Sequence, residues 1–152
     1  MNNDENAPLA NDLLDFLLLT RHALSSPLRN NIKDVPLLQL FVLIILRIHG
    51  CLNMTQISQQ IAVSNQQLTK IVGALHNRGF VVKRTDPENR RAHLISLTPE
   101  GKTYIDAYKD ECIKDIMPRL SDVTTEQKER WQSAILEIRK VLMPSVKNTN
   151  KG

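Results

Sequence analysis

Glycine is scarce in this 152-residue chain, with five residues at positions 50, 73, 79, 101 and 152. No window matches a Walker A loop or a G-x-G-x-x-G turn, so the backbone loops that cradle nucleotide phosphates are missing. Cysteine is scarcer still. Cys51 and Cys112 cannot build a disulfide framework, and both read as small buried hydrophobes. No basic segment followed by an apolar stretch opens the chain as a secretion signal would, and a reducing, cytoplasmic setting is expected. Long hydrophobic runs are also absent. The most apolar stretch, Leu37 to Ile48, contains Gln39 and Arg47 and falls well short of the ~20 residues that span a bilayer. It reads instead as a buried helix, apolar all round. The four histidines, His22, His49, His76 and His93, follow no metal-ligand spacing, and no C-x-x-C occurs, so neither metal nor cofactor is expected. No acid–base pair or nucleophile–base set stands out, which argues against an enzyme.

What is present is an ordinary globular composition, 41% hydrophobic and 24% charged, with a net charge of +4. This suits one folded domain with an oligomerisation extension. The charge is localised. Residues 64–93 hold Lys70, Arg78, Lys83, Arg84, Arg90 and Arg91 against Asp86 and Glu88, which accounts for the whole excess. A basic excess confined to so short a stretch is the pattern of a phosphate-facing surface.

Periodicity divides the chain. Leu9, Leu13, Leu14, Leu17, Leu18 and Leu24 recur at helical steps, predicting a first helix that Pro27 ends. Asp34 and Pro36 open a second, running to about His49, with Gly50 as a left-handed cap. Thr55 can cap a short third helix bearing Ile57 and Ile61. After Ala62-Val63, Ser64 can cap a fourth, with Leu68, Ile71, Val72 and Leu75 on one face. The period then shifts. Phe80 to Thr85 and His93 to Leu97 read as two strands joined by the charged turn Asp86 to Ala92, a hairpin that must lean on a helical core. Thr98-Pro99-Glu100 starts another helix, which Pro118 stops or kinks. Thr124 and Gln127 form a capping box for the last helix, where Trp131, Ile135, Ile138 and Leu142 share a face.

Short helix, tight turn, longer helix and charged hairpin make a helix-turn-helix with a wing. A helix fits the B-DNA major groove with its N-terminal side chains toward base edges. Asn65, Gln66, Gln67 and Lys70 are therefore the candidate base readers, since Asn and Gln can pair bidentately with adenine. Thr55, Ser64, Thr69, Lys83 and Arg84 are candidate contacts to the DNA backbone. Arg90 and Arg91 at the hairpin tip suit a narrow minor groove. The leucine stripe of the first helix and the Trp131 stripe of the last exceed what so small a chain can cover, which favours burial between subunits. The expected interface residues are Leu9, Leu13, Leu17, Trp131, Ile135, Ile138 and Leu142. A two-fold dimer would set two recognition helices about one turn of DNA, ~34 Å, apart.

Residues 54–101, MTQISQQIAVSNQQLTKIVGALHNRGFVVKRTDPENRRAHLISLTPEG, resemble the winged helix-turn-helix core of the MarR family of bacterial transcription regulators, most specifically in the wing block DPENRRAHLISLTPEG. The resemblance implies a mainly α, α+β fold. Residues 1–33 would form an N-terminal dimerisation helix, 34–100 a DNA-binding lobe, 101–146 C-terminal dimerisation helices and 147–152 a disordered tail. It further implies a homodimer on a pseudo-palindromic operator, most often as a repressor. Release would come from a small amphipathic or phenolic effector; with few aromatic residues its pocket should be largely aliphatic, and Leu18, His22, Phe41 and Ile45 are the expected lining. Peroxide sensing through cysteine also has precedent in the family. Three positions depart from the family pattern. Asn89 stands where an acid usually steadies the wing arginine, here Arg91. Ala62 occupies a turn position often held by Gly, and Asn65 one often held by Arg. A non-specific architectural DNA-binding protein and a winged-helix adaptor between proteins are the competing readings.

Overall fold

The computed structural model describes residues 5–30, 35–86 and 93–142, with the backbone alone over 21–30. In chain order these form α1 (Ala7–Asn30), α2 (Leu37–His49), β1 (Leu52–Asn53), α3 (Met54–Ile61), α4 (Asn65–Asn77), β2 (Val81–Thr85), β3 (His93–Leu97), α5 (Pro99–Ile116), a 3₁₀ turn (Met117–Leu120) and α6 (Thr125–Leu142). The fold is mainly helical with one small antiparallel sheet in the order β1-β3-β2. Among the described residues no helix is long and apolar enough to cross a membrane.

One core gathers the middle of the chain. Leu40, Leu43 and Leu46 of α2, Ile57 of α3, Leu68 and Leu75 of α4, Ile95 of β3 and Ile105 of α5 are all less than 2% exposed. Each such side chain contributes about 1.5–3 kcal/mol by leaving water. The four apolar residues predicted for α4 are all buried there. This fastens the helix by one face and leaves the opposite face to solvent.

The structure corrects five expectations. The hairpin is part of a three-stranded sheet, because Leu52 and Asn53 pair with Ile95 and Leu94. Two residues are too short a strand for an alternating pattern to reveal. The N-cap of α3 is Asn53 rather than Thr55. Asn53 accepts from the Gln56 N–H while the Gln56 side chain accepts from the Asn53 N–H, both at 2.9 Å. This reciprocal box satisfies two end groups at once, where Thr55 alone would satisfy one. α1 runs three residues beyond Pro27, since a proline near a helix end forfeits a single hydrogen bond and keeps a helical φ. α2 is not buried all round: Leu37, Phe41 and Ile48 are exposed along one edge. Cys51 is exposed, and only Cys112 is buried.

Two links tie the lobe to α5. At the base of the hairpin, the Thr98 hydroxyl donates to the Gly79 carbonyl at 2.6 Å and accepts from the Gly101 N–H at 3.0 Å. The Thr98 N–H donates to the Phe80 carbonyl at 3.0 Å. The Phe80 ring stacks on Tyr104 with centroids 4.7 Å apart, and Arg78 lies over it at 5.3 Å. Gly101 is buried there, and a Cβ on it would drive into the Phe80 carbonyl. The second link is a bidentate ion pair. Arg47 of α2 reaches Asp106 of α5 through Nε–Oδ1 at 2.8 Å and Nη2–Oδ2 at 3.3 Å. The hydrogen bond from Arg47 holds the Asp106 carboxyl below the usual aspartate range.

α1 and α6 lie outside the core. No residue of α6 is buried, and of the α1 leucines described only Leu13 is partly covered.

Gly101→Ala should destabilise the protein by about 1–3 kcal/mol in a denaturant titration, the size of an overpacking defect. Because Asp106 ionises more readily when folded, its ion pair adds stability above the ordinary aspartate pKa of about 3.9 and loses it as pH falls through the lowered value. Asp106→Asn should therefore lower Tm at neutral pH, and the gap to wild type should close below about pH 4.

Candidate nucleic-acid interface

The interface is built on the turn between α3 and α4. Ala62 caps α3 with φ 53° and ψ 45°, a left-handed backbone that a non-glycine residue adopts at a cost of about 1–2 kcal/mol. Val63 then donates to the Ser58 carbonyl at 3.3 Å. Ser64 is extended, and its hydroxyl accepts from the Gln67 N–H at 3.2 Å. The cap sets where α4 begins. From that start, Leu68, Ile71, Val72 and Leu75 turn inward, and Asn65, Gln66, Gln67, Thr69 and Lys70 are all exposed.

This one surface collects the predicted base readers, Asn65, Gln66, Gln67 and Lys70, on the first two turns of a capped helix. Ser64 and Thr69 join them, with one refinement. The Thr69 hydroxyl donates to the Asn65 carbonyl at 2.8 Å, so in this arrangement its hydrogen is already used and it can only accept. Ser64 accepts from Gln67 and keeps its own hydrogen for a phosphate oxygen. Thr55 is exposed in the first turn of α3.

On β2, Lys83 and Arg84 are exposed but face opposite ways. Lys83 is paired with buried Ile95 and so shares the sheet face of the core, whereas Arg84 is paired with Leu94 on the outer face. Asn89, Arg90 and Arg91 lie outside the described residues.

Other candidates separate. Cys51 has its thiol pKa pushed up, first by burial and then by Asp86, against the pull of Arg84. It is thus held in the less reactive thiol form. Of the expected effector lining, Leu18 and Phe41 are exposed and Ile45 sits in the core, while His22 lies outside the described side chains. A cleft of about 440 Å³ lies elsewhere, lined by Phe80, Pro99, Glu100, Thr103 and Tyr104. Among the described residues no group of three or more His, Cys, Asp or Glu gathers as a metal ion would require. Sequence reasoning passed over Asn53, although Asn-x-x-Gln at 53–56 is a legible capping signal. Nothing in the sequence pointed to the pairing of Arg47 with Asp106, 59 residues apart.

The fold and this surface define a winged helix-turn-helix protein. Residues 35–93 match the model of the MarR family. It is similar to the HTH-type transcriptional regulator PrsX of Escherichia coli, 45% identical over 56 residues. That alignment covers 36% of this chain and only 33% of PrsX. Among solved structures, RV1404 from Mycobacterium tuberculosis superposes with a TM-score of 0.74 at 17% identity, covering 87% of this chain and 92% of that one. NadR in complex with 4-hydroxyphenylacetate superposes with a TM-score of 0.69 at 20% identity, covering 82% and 90%. At such identities the superpositions establish the shared fold.

Gln67→Ala should relax preference at individual base pairs by about 1–3 kcal/mol, whereas Arg84→Ala, at a candidate phosphate contact, should weaken binding to all duplexes alike and lower the salt slope by about 1. Anisotropy titrations on matched and mismatched duplexes at several salt concentrations separate the two.

Proposed function

We propose that this protein is a sequence-specific DNA-binding transcriptional regulator that acts as a homodimer on a pseudo-palindromic operator. The observation that carries the reading is the exposed amide-rich start of α4, where Asn65, Gln66 and Gln67 stand on a Ser64-capped helix anchored by its opposite face. The confinement of the chain's basic excess to residues 64–93 supports it. So does the description of PrsX as a transcriptional regulator. Arg90 and Arg91 on the wing, steadied by Asn89, would enter the flanking minor groove.

The unburied helices supply the argument for a dimer. Trp131, Ile135, Ile138 and Leu142 recur on one stripe of α6, each at least 38% exposed, and Leu9 and Leu17 of α1 are exposed as well. An apolar area of this extent is costly in water, and a second copy burying it would also pair two recognition helices. Occlusion of a promoter by the bound dimer makes the protein a repressor. NadR binds 4-hydroxyphenylacetate, and a comparable small effector would release this dimer by favouring a geometry whose helices no longer match the half-sites. Its site would form only on dimerisation, around the exposed Leu18 and Phe41 rather than in a cavity of one chain. The intracellular location of DNA places the protein in the cytoplasm.

Selection from a random duplex pool should return an inverted repeat with half-sites about 10 base pairs apart. Trp131→Arg should sediment as a monomer and lose the selected site. Recovery of no preferred sequence, or full operator affinity from a monomeric variant, would refute the reading.

A further inference from the structure

The proposed DNA-facing role of α4 leaves one of its residues unexplained. Gly73 lies in the middle of the helix, where glycine is among the least favourable residues. The protein itself does not require it. Among the described residues, a Cβ built at Gly73 meets no heavy atom within 4 Å, and its backbone, unlike those of Gly50 and Gly79, is not left-handed. Neither packing nor conformation accounts for a missing side chain there.

Its position does. Gln66, Lys70, Gly73 and Asn77 follow one another at steps of four, three and four, the spacing of a single helix face. That face lies opposite Leu68, Ile71, Val72 and Leu75, which are buried. Gln66, Lys70 and Asn77 are all exposed. A 13-residue helix is ~20 Å long, while the major groove is only ~12 Å wide. If α4 enters the groove N-terminus first and inclined to it, with its first two turns over base edges, its second half passes close to a sugar-phosphate strand. Gly73 stands one turn beyond Lys70, where that crossing begins.

We propose that Gly73 is the close-approach point at which the sugar-phosphate backbone of the bound duplex passes over α4, its lack of a side chain letting the strand settle against the helix beside Lys70. The inference rests on the reading of α4 as the recognition helix. It assigns Gly73 a positioning role that carries no sequence information, because the strand it admits is the same whatever the bases.

The test uses full-length wild type, Gly73→Ala and Gly73→Leu, both replacements being good helix formers. Thermal melts followed by circular dichroism accompany anisotropy titrations on the selected duplex and a scrambled one. Both variants should melt at or above the wild-type temperature. Affinity should fall about tenfold for alanine and further for leucine, in the same ratio on both duplexes. Unchanged affinity would overturn the inference and leave the DNA-binding reading intact. A loss confined to the selected duplex would also overturn it, since Gly73 would then face bases. A lowered melting temperature would show that the space at Gly73 is occupied within the protein, and a wild type that retains no duplex would remove the inference together with the reading beneath it.

Discussion

The Thr98 side chain and its immediate neighbours set the orientation of everything that follows in the chain. Its hydroxyl receives the first turn of α5 and gives its hydrogen to the Gly79 carbonyl just after α4. The segment just after α4 and the start of α5 are thus held on one oxygen atom. The close passage of Phe80 over Gly101 and the Phe80–Tyr104 stack seal the same junction with apolar contact. On the proposed reading, the angle between α4 and α5 would fix how two recognition helices are presented, and half-site spacing tolerates little error. Here the angle is set by short-range hydrogen bonds and a steric stop rather than by a flexible linker.

The Arg47–Asp106 pair adds a second point of attachment between the lobe and α5, between one and two turns along the helix from Gly101. Two separated contacts resist rotation where one would permit it. On the proposed reading, an effector that changed the spacing of two recognition helices would move lobe and α5 together or break one of these links, and the exposed apolar stripes of α1 and α6 would offer the movable joint between copies.

Local order was largely legible before any coordinates. Ser64, Thr98 and Thr124 act as helix caps because a hydroxyl and the N–H three residues on meet through backbone geometry alone. The inward face of α4 followed from the spacing of Leu68, Ile71, Val72 and Leu75. Competing caps were less legible: Asn53 and Thr55 are both good N-cap residues, and only the paired hydrogen bonds with Gln56 decide between them. The edge strand at Leu52 and Asn53 is stabilised by its partner across the sheet, so its own residues carry no pattern.

Sequence by itself determined where α4, α5 and α6 start, which face of α4 is apolar, and that basic charge and amide side chains fall on one short stretch. These follow from hydrogen bonding and periodicity within a few residues. Tertiary structure alone decided which of Lys83 and Arg84 takes the core side of the sheet, through the register of β2 with β3, and that Cys51 is exposed while Cys112 is buried. It alone decided that Gly73 opens onto space that no described residue fills. Those outcomes depend on which distant segments come together, and that is set by the packing of the whole core rather than by any residue's neighbours in the chain.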